Sequence, residues 1–219
     1  MIVESGVSLS ESPVSGAAII KVNSGGTLSG GTFVSGNTVA VYAGGVTSNI
    51  VASSGAGVGI QGTGSNVTIN TGATLEIASG GLVEGSTLNG GSGYIDSGAS
   101  LTTTTIQNSS IVTISGGASA ANLTLKSLGS VQVNSGATVS NTIISSGGGL
   151  GILGTASGTV INSGGVLEIG SGGVAEGNTV TNSGGIYADN GSVVGTTTVS
   201  SGGAPTVASA STISGAVTI

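Results

Sequence analysis

The chain has no cysteine, histidine, tryptophan or arginine, only two lysines, and only two prolines, Pro13 and Pro205. Each scarcity removes a class of answers. With Lys21 and Lys126 as the only cationic side chains, there is no basic cluster to hold nucleic acid or an anionic membrane. Without cysteine there is no disulfide framework of the kind that staples small secreted domains, so a core must come from stacking. Glycine does not fall at every third residue and proline is scarce, which excludes collagen. No apolar run approaches about 18 residues, so no membrane helix is expected. Met1–Ser15 has neither a basic start nor a long apolar stretch. It does not read as a secretory signal peptide, so either a signal has been removed or export uses another route. Charged residues make up 5% of the chain, against roughly 25% in an ordinary domain.

What is present is glycine, 45 residues of it, and 37% hydrophobic residues. The latter are mostly Val, Ile, Leu and Ala alternating with Ser and Thr. Disordered chains lack such β-branched apolar content, so the composition argues for a fold. One unit recurs as apolar-x-apolar-x-Ser/Asn-Gly-Gly/Ala, as in Ile20–Gly26, Val131–Ala137 and Val160–Gly165. A second, Thr-apolar-x-x-Gly, occurs at Thr179–Gly185 and Thr198–Gly203. Period-2 alternation ended by Gly and Asn predicts short strands closed by turns. Helix is disfavoured, since each interior Gly costs about 1 kcal/mol relative to Ala. Gly in the turns suits positive φ. Where Ala73, Ala99, Ala137 or Ala216 takes the second turn slot, a tight corner with little room is expected instead.

The turns repeat at long range. Gly44, Gly55, Gly72 and Gly80 are spaced 11, 17 and 8 residues apart, and Gly136, Gly147, Gly164 and Gly172 repeat that spacing 92 residues later. Aligning Gly59–Leu88 with Gly151–Val180 gives 17 identities in 30 positions, which makes 44–88 and 136–180 copies of one super-repeat. Such self-similarity marks a repeat architecture. The expected fold is all-β: a single-stranded parallel β-helix, or β-solenoid, of roughly 18–20 residues per coil and about 11–12 coils. At about 4.8 Å per stacked strand the rod would be about 55 Å long. Residues 1–18, with Glu4, Glu11 and Pro13, read as an N-terminal cap, and 19–219 as continuous solenoid. Ser211–Ile219 stops in mid-pattern without a polar cap, which predicts a piece of a longer protein or a subunit that stacks end to end. After the strongest block the echo slips by one residue, so that Thr103–Ile106 answers Thr196–Val199; a corner should lie at the slip.

The sharpest repeated polar feature is the pair Glu76/Glu84 with its copy Glu168/Glu176. A glycosidase needs two carboxyls about 5–9.5 Å apart. Two copies of one active site in a rod, with no Arg, His or aromatic sugar platform beside them, point instead to solvated strand positions. Glu76 and Glu168 are then expected at equivalent outward places about five coils apart. Calcium takes six to eight oxygen ligands, while Asp96 and Asp189 stand alone in the sequence. The Thr runs Thr102–Thr105 and Thr196–Thr198 could present hydroxyl ladders like those of ice-binding solenoids, but they are few and irregularly spaced. Gly55–Gly59 and Gly147–Gly151 are not phosphate loops, because no helix follows. Sequons at Asn66, Asn108, Asn122 and Asn190 arise readily in so Ser/Thr-rich a chain. No catalytic, cofactor-binding or metal residue is assigned, and no cofactor is expected.

At Asn178–Gly185, Thr198–Gly203 and Ala43–Asn49 the chain resembles the repeats of AIDA-type and antigen 43-like autotransporter adhesin passengers, a likeness that runs from about Ile19 onward. The resemblance implies a right-handed parallel β-helix, on the bacterial surface or secreted, that serves adhesion, self-association or biofilm formation. Some members carry heptose on Ser and Thr, so a heptosyltransferase is an implied partner. Met1–Val7 also resembles the start of signal-less repeat proteins that leave the cell in one step. The expected function is non-enzymatic: adhesion or self-association through Ser, Thr and Asn ladders, with another copy, a glycan or a host surface as partner. The alternative is an extracellular filament stacked end to end. A polysaccharide-lyase β-helix is disfavoured because it would need Arg or Lys beside an acid cluster.

Overall fold

The computed structural model describes residues 1–10, 16–189, 192–200, 202–207, 212–213 and 217–218. Among these the regular elements are all short strands, arranged in three parallel sheets of 12, 12 and 11 strands. Successive strands of one sheet come from successive coils, so the chain winds as a three-sided rod. One coil shows the plan: Ile19–Val22 lies on the first face, Thr27–Ser29 on the second and Thr32–Phe33 on the third. These are called faces A, B and C. Ile2–Val3 and Ser8–Ser10 already pair in parallel with the next coil on faces A and B. Glu11 and Pro13 of the expected cap, Asn190, Ala216 and much of Ser211–Ile219 lie outside the described residues.

Coil length follows from the register. Ile19 pairs with Thr38 and Thr38 with Gly57, giving 19 residues per coil. Gly57 pairs with Thr74, and Gly149 with Val166, giving 17. These two short coils fall just below the expected range. The missing residues are at the A-to-B corner. Most coils turn there through four residues, as at Asn23–Gly26, whereas Gln61-Gly62 and Leu153-Gly154 turn in two.

Alternation decides which side chains enter the rod. On face A, Leu75 and Ile77 are buried while Thr74 and Glu76 are exposed; face C buries Ile69 between Thr68 and Asn70. The interior is one continuous column of Val, Ile, Leu and Ala, with Phe33 as its only aromatic ring. Face B has the least room: Gly64, Ala120, Ala156 and Ala175 fill its inward places, and a Cβ on Gly64 would come within 2.6 Å of Ile60 Cδ1.

The corners divide their labour as the turn pattern predicts. The first glycine of the A-to-B turns carries the positive φ, as at Gly25, Gly44 and Gly80. The second slot is buried and narrow, and Ala99, Ala118 and Ala137 occupy it with 1–2% exposure and without positive φ. The one-residue slip also falls at a corner. The C-to-A turn at Asn89–Gly91 is a residue shorter than its counterpart before Gly185, as shown by Thr87 aligning with Thr179 but Ser92 with Gly185.

Leu128 is a local misfit. It stands at φ 66° on a C-to-A corner with its side chain 68% exposed. A left-handed conformation costs a non-glycine residue about 1–2 kcal/mol, partly offset by glycine's larger entropy loss of about 0.5–1 kcal/mol. Leu128→Gly is expected to stabilise the rod by up to about 1 kcal/mol; a fall in the urea midpoint would contradict this.

Candidate binding face on the rod

The acids of each copy separate onto different faces. Glu76 and Glu168 project from face A, whereas Glu84 and Glu176 project from face B. Neither pair therefore forms a two-carboxylate centre. Glu76 and Glu168 do occupy equivalent outward places, five strands apart in the same sheet, as the echo predicts. Among the described residues no three acidic, His or Cys side chains come together to hold a metal ion.

The Thr runs turn corners instead of forming arrays. Thr102 is on face B, Thr103 sits at the corner with φ 50°, Thr104 is buried, and Thr105 faces outward on C. In the second run Thr197 is buried and donates to Gly195 O at 3.2 Å, while Thr198 faces outward. The ladder that does form takes one Thr per coil. Thr68, Thr87, Thr105 and Thr124 are successive register partners on face C. Beside them Asn70 donates to Ser53 Oγ at 3.0 Å and Asn89 donates to Asn70 Oδ1 at 3.1 Å. The sequence hides this column because its members are 18 or 19 residues apart. Three of the sequon asparagines, Asn66, Asn108 and Asn122, adopt positive φ at corners, a conformation Asn tolerates well. The glycine-rich stretches become a turn followed by the face A strands Gly57–Ile60 and Gly149–Ile152.

Those two strands floor a pair of matching recesses. Where the A-to-B corner is cut to two residues, the neighbouring corners stand proud of it. The first recess, about 200 Å³, has Gly59 at its floor with Tyr42, Gln61, Glu76 and Ala78 around it. The second, about 280 Å³, has Gly151 at its floor beneath the Gln132 side chain, with Asn134, Leu153, Glu168, Gly170 and Asp189 around it. Both are smaller than the roughly 300–1,000 Å³ of ordinary small-molecule pockets, and both open along the rod.

One column runs past both recesses. On face A the central outward position reads Gly59, Glu76, Tyr94, Thr113 on successive coils, and five coils later Gly151, Glu168, Tyr187, Thr206. Tyr94 and Tyr187 are each 49% exposed. Asp96 and Asp189 follow them at equivalent places and so are copies of one position. An aromatic ring thus stands one coil from each face A acid, which the sequence reading missed. The signal lay in register, since Glu76 meets Tyr94 across 18 residues and Glu168 meets Tyr187 across 19.

Residues 107–165 match a family model described as the adhesin of the bacterial autotransporter system, probable stalk, or AIDA. Over its whole length the chain is similar in structure to the crystallised TibC-catalysed hyper-glycosylated TibA fragment 55–350. The TM-score is 0.70 at 25% identity, covering 98% of this chain and 93% of that one. No curated protein sequence matches. No helix is long and apolar enough to cross a membrane among the described residues. With a stalk-model match across residues 107–165 and a likeness to the TibA fragment over nearly its whole length, the chain is similar in repeat and fold to AIDA-type autotransporter adhesin passengers.

Proposed function

We propose that the rod is a non-enzymatic, self-associating module that docks side by side with another copy through face C. The carrying observation is the uncharged hydrogen-bonding strip on that face: the column Thr68, Thr87, Thr105 and Thr124 beside the Ser53–Asn70–Asn89 ladder. Hydroxyls and amides repeat there at the strand spacing of about 4.8 Å, so an identical strip can meet it rung by rung. The one charged residue beside the column is Lys126, next to Thr124 and Leu125, so close approach strips few ions of their water. On cells, such contacts would clump neighbours and support a biofilm.

Sedimentation of the purified chain and settling of cells that display it test this reading. Thr87→Lys with Thr105→Lys places like charges at adjacent rungs, and is expected to shift the chain to monomer and abolish clumping. Association unchanged in the double variant would remove face C as the contact. Electron microscopy separates lateral pairs of short rods from micrometre fibres, which would favour end-to-end stacking instead. The TibA fragment is described as glycosylated by TibC, and the outward Ser29, Ser48 and Ser65 of face B offer comparable hydroxyls here. Co-expression with a heptosyltransferase is expected to raise the intact mass in heptose steps; an unchanged mass would exclude that partner.

A further inference from the structure

We infer that face A carries two related subsites, copies of one Gly-Glu-Tyr-Thr column, for a linear, uncharged, β-1,4-linked polysaccharide lying along the rod. Tyr94 and Tyr187 stack on sugar rings, and Glu76 and Glu168 accept hydrogen bonds from ring hydroxyls. The inference concerns a different face from the self-association strip and does not depend on it.

The internal duplication carries the argument. The central outward column of face A is the same at all four levels in both copies: Gly, Glu, Tyr, Thr. Its flanking columns have drifted more, retaining only Gly57/Gly149 on one side and Asp96/Asp189 on the other. On one side Thr74, Ser92 and Ile111 answer Val166, Gly185 and Ala204; on the other Gln61 and Ala78 answer Leu153 and Gly170. Strand packing does not explain the retained set, because Gly and Glu are poor strand residues and none of the four side chains fills the core. Glycine matters here for space. A Cβ on Gly59 would meet nothing within 4 Å, so the floor of the first recess is open to a ligand, whereas over Gly151 the Gln132 side chain, with Oε1 2.7 Å from such a Cβ, must swing aside to admit one.

The chemistry suits a neutral sugar polymer. A tyrosine ring gives an apolar face for the C–H side of a pyranose and a hydroxyl for its rim. A carboxylate beside it accepts from vicinal hydroxyls, and Tyr42 and Gln61 line the first recess as Asn134 and Asp189 line the second. The face is acidic and the chain is −6 overall, which repels sulfated or carboxylated glycans. The strand spacing of about 4.8 Å is slightly shorter than the rise per ring of an extended β-1,4-linked chain, so a chain lying along the rod places roughly one ring over each coil. The two subsites stand about 24 Å apart, within reach of one polymer, and linkage through it multiplies two weak contacts.

Affinity electrophoresis in gels containing glucomannan, xyloglucan, hydroxyethylcellulose or heparin tests the proposal. At least one neutral polymer should retard the chain and heparin should not. Tyr94→Ala or Tyr187→Ala alone should weaken retention tenfold or more, and the double variant should abolish it, with circular dichroism and sedimentation unchanged. The proposal is overturned if no neutral polymer retards the chain, if heparin does so as strongly, or if the double variant is retarded like the parent. It is equally overturned if the double variant changes the sedimentation profile, since face A would then belong to a contact between copies.

Discussion

Gly62→Ala is expected to destabilise the rod by about 3 kcal/mol, an overpacking cost at the upper end of the usual range because only backbone can yield. The added Cβ would lie 2.2 Å from Gly45 O and 2.6 Å from Tyr42 O. Both carbonyls are engaged: Thr63 N donates to Gly45 O at 3.0 Å and Gly45 N donates to Tyr42 O at 2.8 Å. Making room therefore means breaking the corner of the coil below. Gly154, its copy, faces the same obstruction from Ala137 O at 2.4 Å and Asn134 O at 2.5 Å. Gly59→Ala, three residues earlier, is the control. Its Cβ meets open space and its φ is not positive, so its stability should stay within about 1 kcal/mol of the parent. In a stack where each coil touches only its neighbours, the damage at Gly62 should appear first as faster amide exchange in the adjoining coils. Equal stability of the two variants would show that the short corner can widen freely.

The short corners show why some of this architecture could be read in advance and some could not. A strand of four residues announces itself: Leu75-Glu76-Ile77 alternates, and Ser79-Gly80-Gly81 ends it. The division between a positive-φ glycine and a small buried neighbour followed from Ala standing in the second slot at Ala99 and Ala137, since alanine fits a narrow corner but not that backbone conformation. Faces were harder. Coil length varies between 17 and 20 residues, so a residue's neighbour on the next coil cannot be found by a fixed step. Thr102–Thr105, weighed and disfavoured as a hydroxyl ladder, is a corner, while the Thr68–Thr124 column gave no sequence signal and is a ladder.

The same variation hid the candidate site. Asp96 and Asp189 stand 93 residues apart, one more than the super-repeat, because the slip at Asn89–Gly91 lies between them and the strongest block. Once the register is known they become copies of one position, and so do Tyr94 and Tyr187. The echo therefore presents the same surface column twice, which suits binding of a repeating ligand.

Thr142→Val with Thr159→Val is expected to stabilise the rod by about 1–3 kcal/mol per site, the usual penalty for a buried polar group without a partner. The two threonines and Asn178 follow one another up the inside of the B-to-C corner, each 0–1% exposed. Their side-chain polar atoms have no hydrogen-bond partner. Elsewhere in the column the problem is solved in two ways. Ser86, Thr104 and Thr197 donate to a carbonyl two residues back, and Ile50, Val67 and Leu123 bring no polar atom at all. The apolar members show that the corner accepts branched hydrocarbon, so valine should replace threonine without a cavity. The neighbouring sites share contacts, so the two gains need not add. A higher urea midpoint at unchanged slope is the expected readout. A loss of stability in either single variant would mean that its hydroxyl is satisfied in solution, and would turn this seam from a weakness of the rod into one of its fastenings.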